Sequence, residues 1–233
     1  MIEIIENLDM SPFVLSFKLA LITTIILFII SVPLAWYLSQ TKSKMKPFLE
    51  AITALPLVLP PSVLGFYILV SFSSNSPLGE FFEDTFDIKL IFNFTGLVLA
   101  SCIYSLPFMV QPLQGGFEAL HRNVLEASYV AGKGTLETII RVALPNMKPA
   151  LLTGVIITFA HTVGEFGVIL MVGGSIPGET KVASIAIYEM VEIMNYTAAH
   201  IYSAIMVFMS FFVLLGVYIF NAKQMTKIGK YHS

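Results

Sequence analysis

Two ionisable residues stand in an apolar run where charge is costly. They are His161 and Glu165, within the run from about Ala150 to Val172. Their four-residue spacing puts both on one face of a helix. Ionisable groups inside membrane segments usually face protein or water and often mark function. Three chemistries fit: a hydrogen-bonded tie between neighbouring helices, an element of a pathway or gate, or a metal site or proton relay. No cluster of further ligands accompanies the pair, which argues against a metal. A bare carboxylate repels anions, so Glu165 is not expected to ligate an anionic cargo. A second candidate, Gly132-Lys133-Gly134-Thr135, invites a phosphate-loop reading. That loop needs Gly five positions before the second Gly, then Lys followed directly by Ser or Thr. Here Ala127 holds the first position, Gly134 follows the lysine, and no buried strand precedes them. If ATP drives this protein, another subunit binds it. His121, His200 and His232 are scattered and no serine sits in a nucleophile elbow, so neither catalysis nor a cofactor is expected.

The elements that position these residues are apolar. The chain has 233 residues, 56% hydrophobic and 12% charged, against about 25% charged in soluble domains. Its mean hydropathy is +0.83. This is the composition of an all-α integral membrane protein, and the length suits one membrane domain over residues 1–233. The net charge of −2 gives no reason to expect nucleic acid as a partner. Cys102, the single cysteine, lies in an apolar run and reads as a small core residue. Five runs are long enough to cross a bilayer: Phe13–Leu38, Phe48–Phe72, Leu90–Pro112, Ala150–Val172 and Ala198–Phe220. Lys18 can snorkel to an interface, Pro33 is expected to kink the first span, and Trp36 and Tyr37 mark an interfacial belt. The second span holds Pro56, Pro60 and Pro61 and must break or kink. Open backbone is not tolerated against lipid, so the break should face protein or a water-filled path; simple packing is the other reading. Val182–Met194, carrying Glu189 and Glu192, is too short and charged to span and reads as a re-entrant or interfacial helix. Asn93-Phe94-Thr95 and Asn195-Tyr196-Thr197 match glycosylation acceptors, a pattern common by chance.

Between the third and fourth spans lies the longest charged segment with helix-forming patterning, Glu118–Pro149. Good helix formers run from Val124 to Ala131, and Gly132 and Gly134 stop them. A second piece is predicted from Thr135, as N-cap, to Ala143, with Pro145 beyond. Ala127, Val130 and Ala131 share one side, where small residues let another protein approach closely, and Glu126 is free to take a cation or a hydrogen bond. An ordinary surface helical hairpin is the alternative. The spacing is more specific than that: Glu126-Ala127-Ser128, three residues, Gly132, nine residues, Val142, one residue, Leu144-Pro145. It resembles the EAA loop of permease subunits of bacterial ABC importers, with Ser128 for the second Ala and Val142 for Ile. The broken second span Leu55–Pro61, Gly164-Glu165-Phe166-Gly167 and Ile176–Thr180 are similar to the molybdate, tungstate and sulfate branch.

That resemblance implies a type I importer permease fold of about five transmembrane helices plus a cytoplasmic coupling helix. It implies a second copy of the chain, a pair of ATPase subunits docked at Glu126, Ala127, Ser128, Gly132, Leu144 and Pro145, and an oxyanion-binding protein. Pro60, Pro61, His161 and Glu165 become candidates for the pathway or gate. The cargo implied is molybdate or tungstate, with sulfate or thiosulfate as the alternative. A proton-coupled secondary transporter using His161 and Glu165 is the rival of another class, but it calls for paired broken helices, and the sequence offers only the second span. Basic residues set the expected orientation. Lys42, Lys44, Lys46, Arg122, Lys133, Arg141, Lys148 and the tail lysines fall on one side, and Glu3, Glu6, Asp9 and the Glu80–Asp87 cluster on the other. The positive-inside rule then places the N-terminus outside and the C-terminus in the cytoplasm of a cell (inner) membrane protein.

Overall fold

A computed structural model describes residues 9–229; Glu3, Glu6, Lys230 and His232 lie outside them. The described chain is helical, in the order α1 (Ser11–Gln40), α2 (Lys46–Val58), α3 (Pro61–Phe72), α4 (Pro77–Phe86), α5 (Phe94–Glu118), α6 (Arg122–Val130), α7 (Thr135–Thr138), a π-helical turn (Ile139–Ala143), α8 (Leu144–Asn146), α9 (Lys148–Val163), α10 (Gly167–Gly173), α11 (Ala183–Glu192) and α12 (Tyr196–Gly229). Three helices, α1, α5 and α12, are each long and apolar enough to cross a membrane. Counting each of two bent pairs as one span, by length and composition, gives up to five: α2 with α3, bent by 111°, and the Thr135–Asn146 stretch with α9, bent by 86°.

Helix α1 runs unbroken through Pro33, whose ring is exposed. It begins beside Asp9, whose carboxylate accepts from the Ser11 amide and hydroxyl, both at 2.8 Å. Those bonds hold its carboxyl below the usual range. Helix α5 starts four residues later than the apolar run predicts, because Asn93 caps it: the side-chain oxygen accepts from the Gly96 amide at 2.7 Å. Asn195 does the same for α12 through the Ala198 amide, 3.2 Å away. Both asparagines of the glycosylation patterns are thus helix caps. Helix α5 also outruns its expected end and continues through Pro107 and Pro112 to Glu118.

Helices α1, α5 and α9 form the centre. Trp36 meets Phe117 edge-on at 5.2 Å at one end of α1 and α5, and Lys18 lies 4.5 Å over the Phe94 ring at the other, so the two run parallel. Helix α9 runs antiparallel to both, with Phe159 beside Phe17 and Ala150 beside Gly116. One apolar core gathers Leu27, Ala35 and Leu38 of α1, Met109, Val110, Leu113 and Phe117 of α5, and Leu125, Ile139, Ala143 and Met147 of the polar segment. The polar segment is therefore an integral part of the bundle's end. At the far end the Lys18 ammonium makes a cation–π contact with the Phe94 ring. Helix α11 has ten residues, too short to span. Ala183, Ile185 and Ala186 are buried, and Glu189 pairs with Lys181 and Ser175.

Candidate functional site

Two regions hold the residues singled out by sequence. In the polar segment, α6 ends where Gly132 turns left-handed, φ +79°, a conformation that suits glycine. Gly134, not Thr135, occupies the cap position of α7, and Thr135 is its first residue. The second piece is not a simple α-helix either: α7 widens into the π turn before Leu144 and Pro145. Glu126, Ala127 and Gly132 are exposed. Glu126 accepts from the Arg122 guanidinium at 2.8 Å. Val130 is 89% exposed and Leu136 70%, with Ile140 beside them in sequence at 55%. Ser128 points the other way: it is buried, and its hydroxyl bonds Thr138 at 2.9 Å, joining the two helical pieces. Leu144 is half-buried against the core and Pro145 is exposed.

In the second region, the expected break of the second span falls at Leu59–Pro60, with Pro61 opening α3. The fourth span is broken too, which the sequence reading missed. Helix α9 stops at Val163, Gly164 follows, and α10 starts at Gly167. Glu165 therefore does not share a helix face with His161; it sits in the break. The cause is tertiary. The Glu165 carboxylate accepts from the Ser101 hydroxyl of α5 at 2.9 Å, and its carbonyl accepts from Ser184 of α11 at 2.7 Å. His161 Nδ1 lies 3.0 Å from the Ser105 hydroxyl, which also bonds Thr162 at 3.0 Å. Ser101 and Ser105, four apart on α5, thus form two rungs with Glu165 and His161. The imidazole stacks on Phe108, 3.9 Å between centroids. Glu165 is 4% exposed, and its second oxygen finds no hydrogen-bond partner among the described residues.

The two breaks meet. A Cβ on Gly167 would lie 2.8 Å from Cβ of Pro61, and one on Gly65 would lie 2.9 Å from Cβ of Met171. Only glycine lets α3 and α10 come so close. The broken second span does have a matching partner, contrary to the sequence expectation. Among the described residues, no group of three or more His, Cys, Asp or Glu is placed to hold a metal.

A family model described as "Binding-protein-dependent transport system inner membrane component" matches residues 21–225. The chain belongs to this family. Among curated relatives, the molybdenum transport system permease protein ModB of Azotobacter vinelandii is 44% identical over 210 residues, 90% of this chain and 93% of that protein. The putative molybdenum transport permease YvgM of Bacillus subtilis is 35% identical, over 89% and 91% of the two chains. A probable sulfate permease cysT of Helicosporidium is 33% identical, over 93% and 80%. Among solved structures, the MetNI methionine ABC transporter superposes with TM-score 0.66 at 15% identity, over 87% of this chain and 89% of that one. A bacterial alginate ABC transporter gives 0.72 at 16%, over 89% and 76%. The fold is that of ABC importer permeases.

For this permease, Ser101, Ser105 and Ser184 went unnoticed in sequence. A signal existed: two hydroxyls four apart in one span match the spacing of His161 and Glu165 in another.

Proposed function

We propose that this permease is the membrane-spanning subunit of an ATP-driven importer of molybdate or tungstate, acting as a single membrane domain. The observation that carries this is the 44% identity with a molybdenum permease along nearly the whole of both chains. The sulfate-named relative at 33% makes sulfate the second reading. Two copies of the chain would enclose the passage. ATP would be bound and hydrolysed by a separate ATPase pair docked on the polar segment, which the positive-inside rule puts in the cytoplasm, leaving the N-terminus outside. Exposed Glu126, Ala127 and Gly132, with Val130, Leu136 and Ile140 projecting nearby, suit a docking surface.

The mechanism follows from what the spans hold. Apart from Lys18, they carry almost no cation. Such a passage does not grip a dianion, so selection falls to an external binding protein that delivers the oxyanion. ATP binding draws the ATPase pair and the two polar segments together, and the spans turn outward to receive cargo; hydrolysis resets them. The breaks at Pro60–Pro61 and Gly164–Phe166 let α3 and α10 swing as the gate. Ser101, Ser105 and Ser184 hold Glu165 and His161 in register at its hinge, and neither ionisable side chain ligates cargo.

The test is ATP hydrolysis by the reconstituted complex with its binding protein carrying molybdate, tungstate or sulfate. Stimulation by molybdate or tungstate alone is expected. Stimulation by sulfate moves the cargo and keeps the mechanism; no stimulation by any of the three refutes the proposal.

A further inference from the structure

Helix α2 is thinly embedded. Of its 13 residues only Pro56 is buried, and Phe48, Ile52, Leu55, Leu57 and Val58 are exposed. Its first turn is nevertheless tied down. Lys46 Nζ lies 3.0 Å from Glu118 Oε1, at the last residue of α5, and 3.7 Å from Glu50 Oε1 one turn along α2. Gln114 of α5 closes the figure, donating to Glu50 at 2.6 Å and to Glu118 at 3.1 Å. Two residues from each helix thus form a ring of alternating donors and acceptors. Just inside it, Leu49 packs against the apolar core that α5 shares with the polar segment.

The placement has a mechanical meaning. Glu118 is at once the last residue of α5 and the first of the polar segment. Lys46 opens a rigid rod about 20 Å long at 1.5 Å per residue, and that rod ends at the Pro60 break, 111° from α3. We propose that the ring Lys46–Glu50–Gln114–Glu118 is a positioning clamp that stays closed through the transport cycle and carries displacement of the polar segment into α2, and so to the α3–α10 gate. The clamp rests on the importer reading above. Without it, α2 keeps its apolar packing on α5 and its loop from α1 but loses the polar tie to Glu118, and hydrolysis moves the gate less.

Surface ion pairs contribute little to stability, so the readout is coupling: oxyanion taken up per ATP hydrolysed, in proteoliposomes of the full complex. Lys46→Glu and Glu118→Lys, singly, lower that ratio about fivefold or more, the smallest effect usual for a coupling free energy, while hydrolysis continues. The reciprocal pair Lys46→Glu/Glu118→Lys rebuilds the cross-helix ion pair, although it sets a second carboxylate beside Glu50, and raises the ratio at least about twofold over either single variant, the smallest coupling usual between residues in contact. If either single variant keeps the wild-type ratio, or the exchange rescues nothing, the clamp is refuted. Should the charge variants fail to assemble, Lys46→Cys/Glu118→Cys in a Cys102→Ser background, bridged by a bifunctional maleimide long enough to replace two extended side chains, gives the same answer. With the bridge shown to have formed, uptake stays intact if the clamp stays closed and is abolished if the ring must open. A wild-type complex that moves no oxyanion refutes the importer reading instead.

Discussion

The two ends of the bundle are built differently. Where the polar segment joins, Leu38, Met109, Leu113, Phe117, Ile139, Ala143 and Met147 fill one apolar core; charged groups stay at the rim, and the buried hydroxyls of Ser128 and Thr138 satisfy each other. Towards the far end, hydroxyls enter the interior. Ser101, Ser105, Thr158, Thr162 and Glu165 are buried, as are Thr23 and Thr24 of α1; Ser31, nearer the other end, lies between Leu27 and Ala35 of the apolar core. Thr23, Thr24, Ser31, Thr158 and one Glu165 oxygen have no partner among the described residues. Two helices break there and touch through glycines. An apolar core has one best packing, and its loss of contacts on moving is not easily replaced. A region of hydroxyls and bare backbone contact is closer to balance between arrangements. The first end is suited to transmit force, the second to change shape.

Five substitutions break or sharpen this contrast, and thermal unfolding of the purified complex reads each. Glu165→Lys buries a cation with no anion beside it among the described residues, and a loss of about 3–5 kcal/mol is expected. A loss below about 1 kcal/mol would mean that water already reaches the break. Leu113→Ala empties space in the apolar core and costs about 2–5 kcal/mol. A much smaller cost would show that the core relaxes and the two ends are alike. Gly167→Leu forces a side chain against the Pro61 ring and costs about 1–3 kcal/mol, with uptake lost beyond what the stability change explains. Unchanged uptake would remove α3–α10 contact from the gate. Ser128→Ala strands the buried Thr138 hydroxyl and costs about 1 kcal/mol; no change would show that the two pieces of the polar segment are held by the core alone. Thr158→Val removes an unpartnered hydroxyl and leaves stability within about 0.5 kcal/mol. If uptake slows all the same, that hydroxyl finds its partner in another state of the cycle.

Legibility in the sequence followed the range of the cause. Pro60 and Pro61 act on their own backbone, so that break could be read directly. Gly164 does not force a break; the chain parts there because Ser101 and Ser184, 64 and 19 residues from Glu165, take its carboxylate and carbonyl. Nothing near Glu165 announces this. Gly132 was legible as a stop, and its left-handed φ explains why. Thr135 as a cap was a local inference that Gly134 overrode. Asn93 and Asn195 drew notice only for a chance glycosylation pattern, and their part in starting helices was not read. The polar segment's spacing marked out the exposed Glu126, Ala127 and Gly132 but not the inward turn of Ser128, which depends on a hydroxyl ten residues ahead.

The pair Ser128–Thr138 has one further consequence. It ties the two helical pieces across the turn at Gly132 within the chain itself, which pre-orders the surface they present. A partner that meets it loses little conformational entropy in ordering the contact. Association should then show the heat-capacity change of apolar burial alone, without the larger signature of folding coupled to binding.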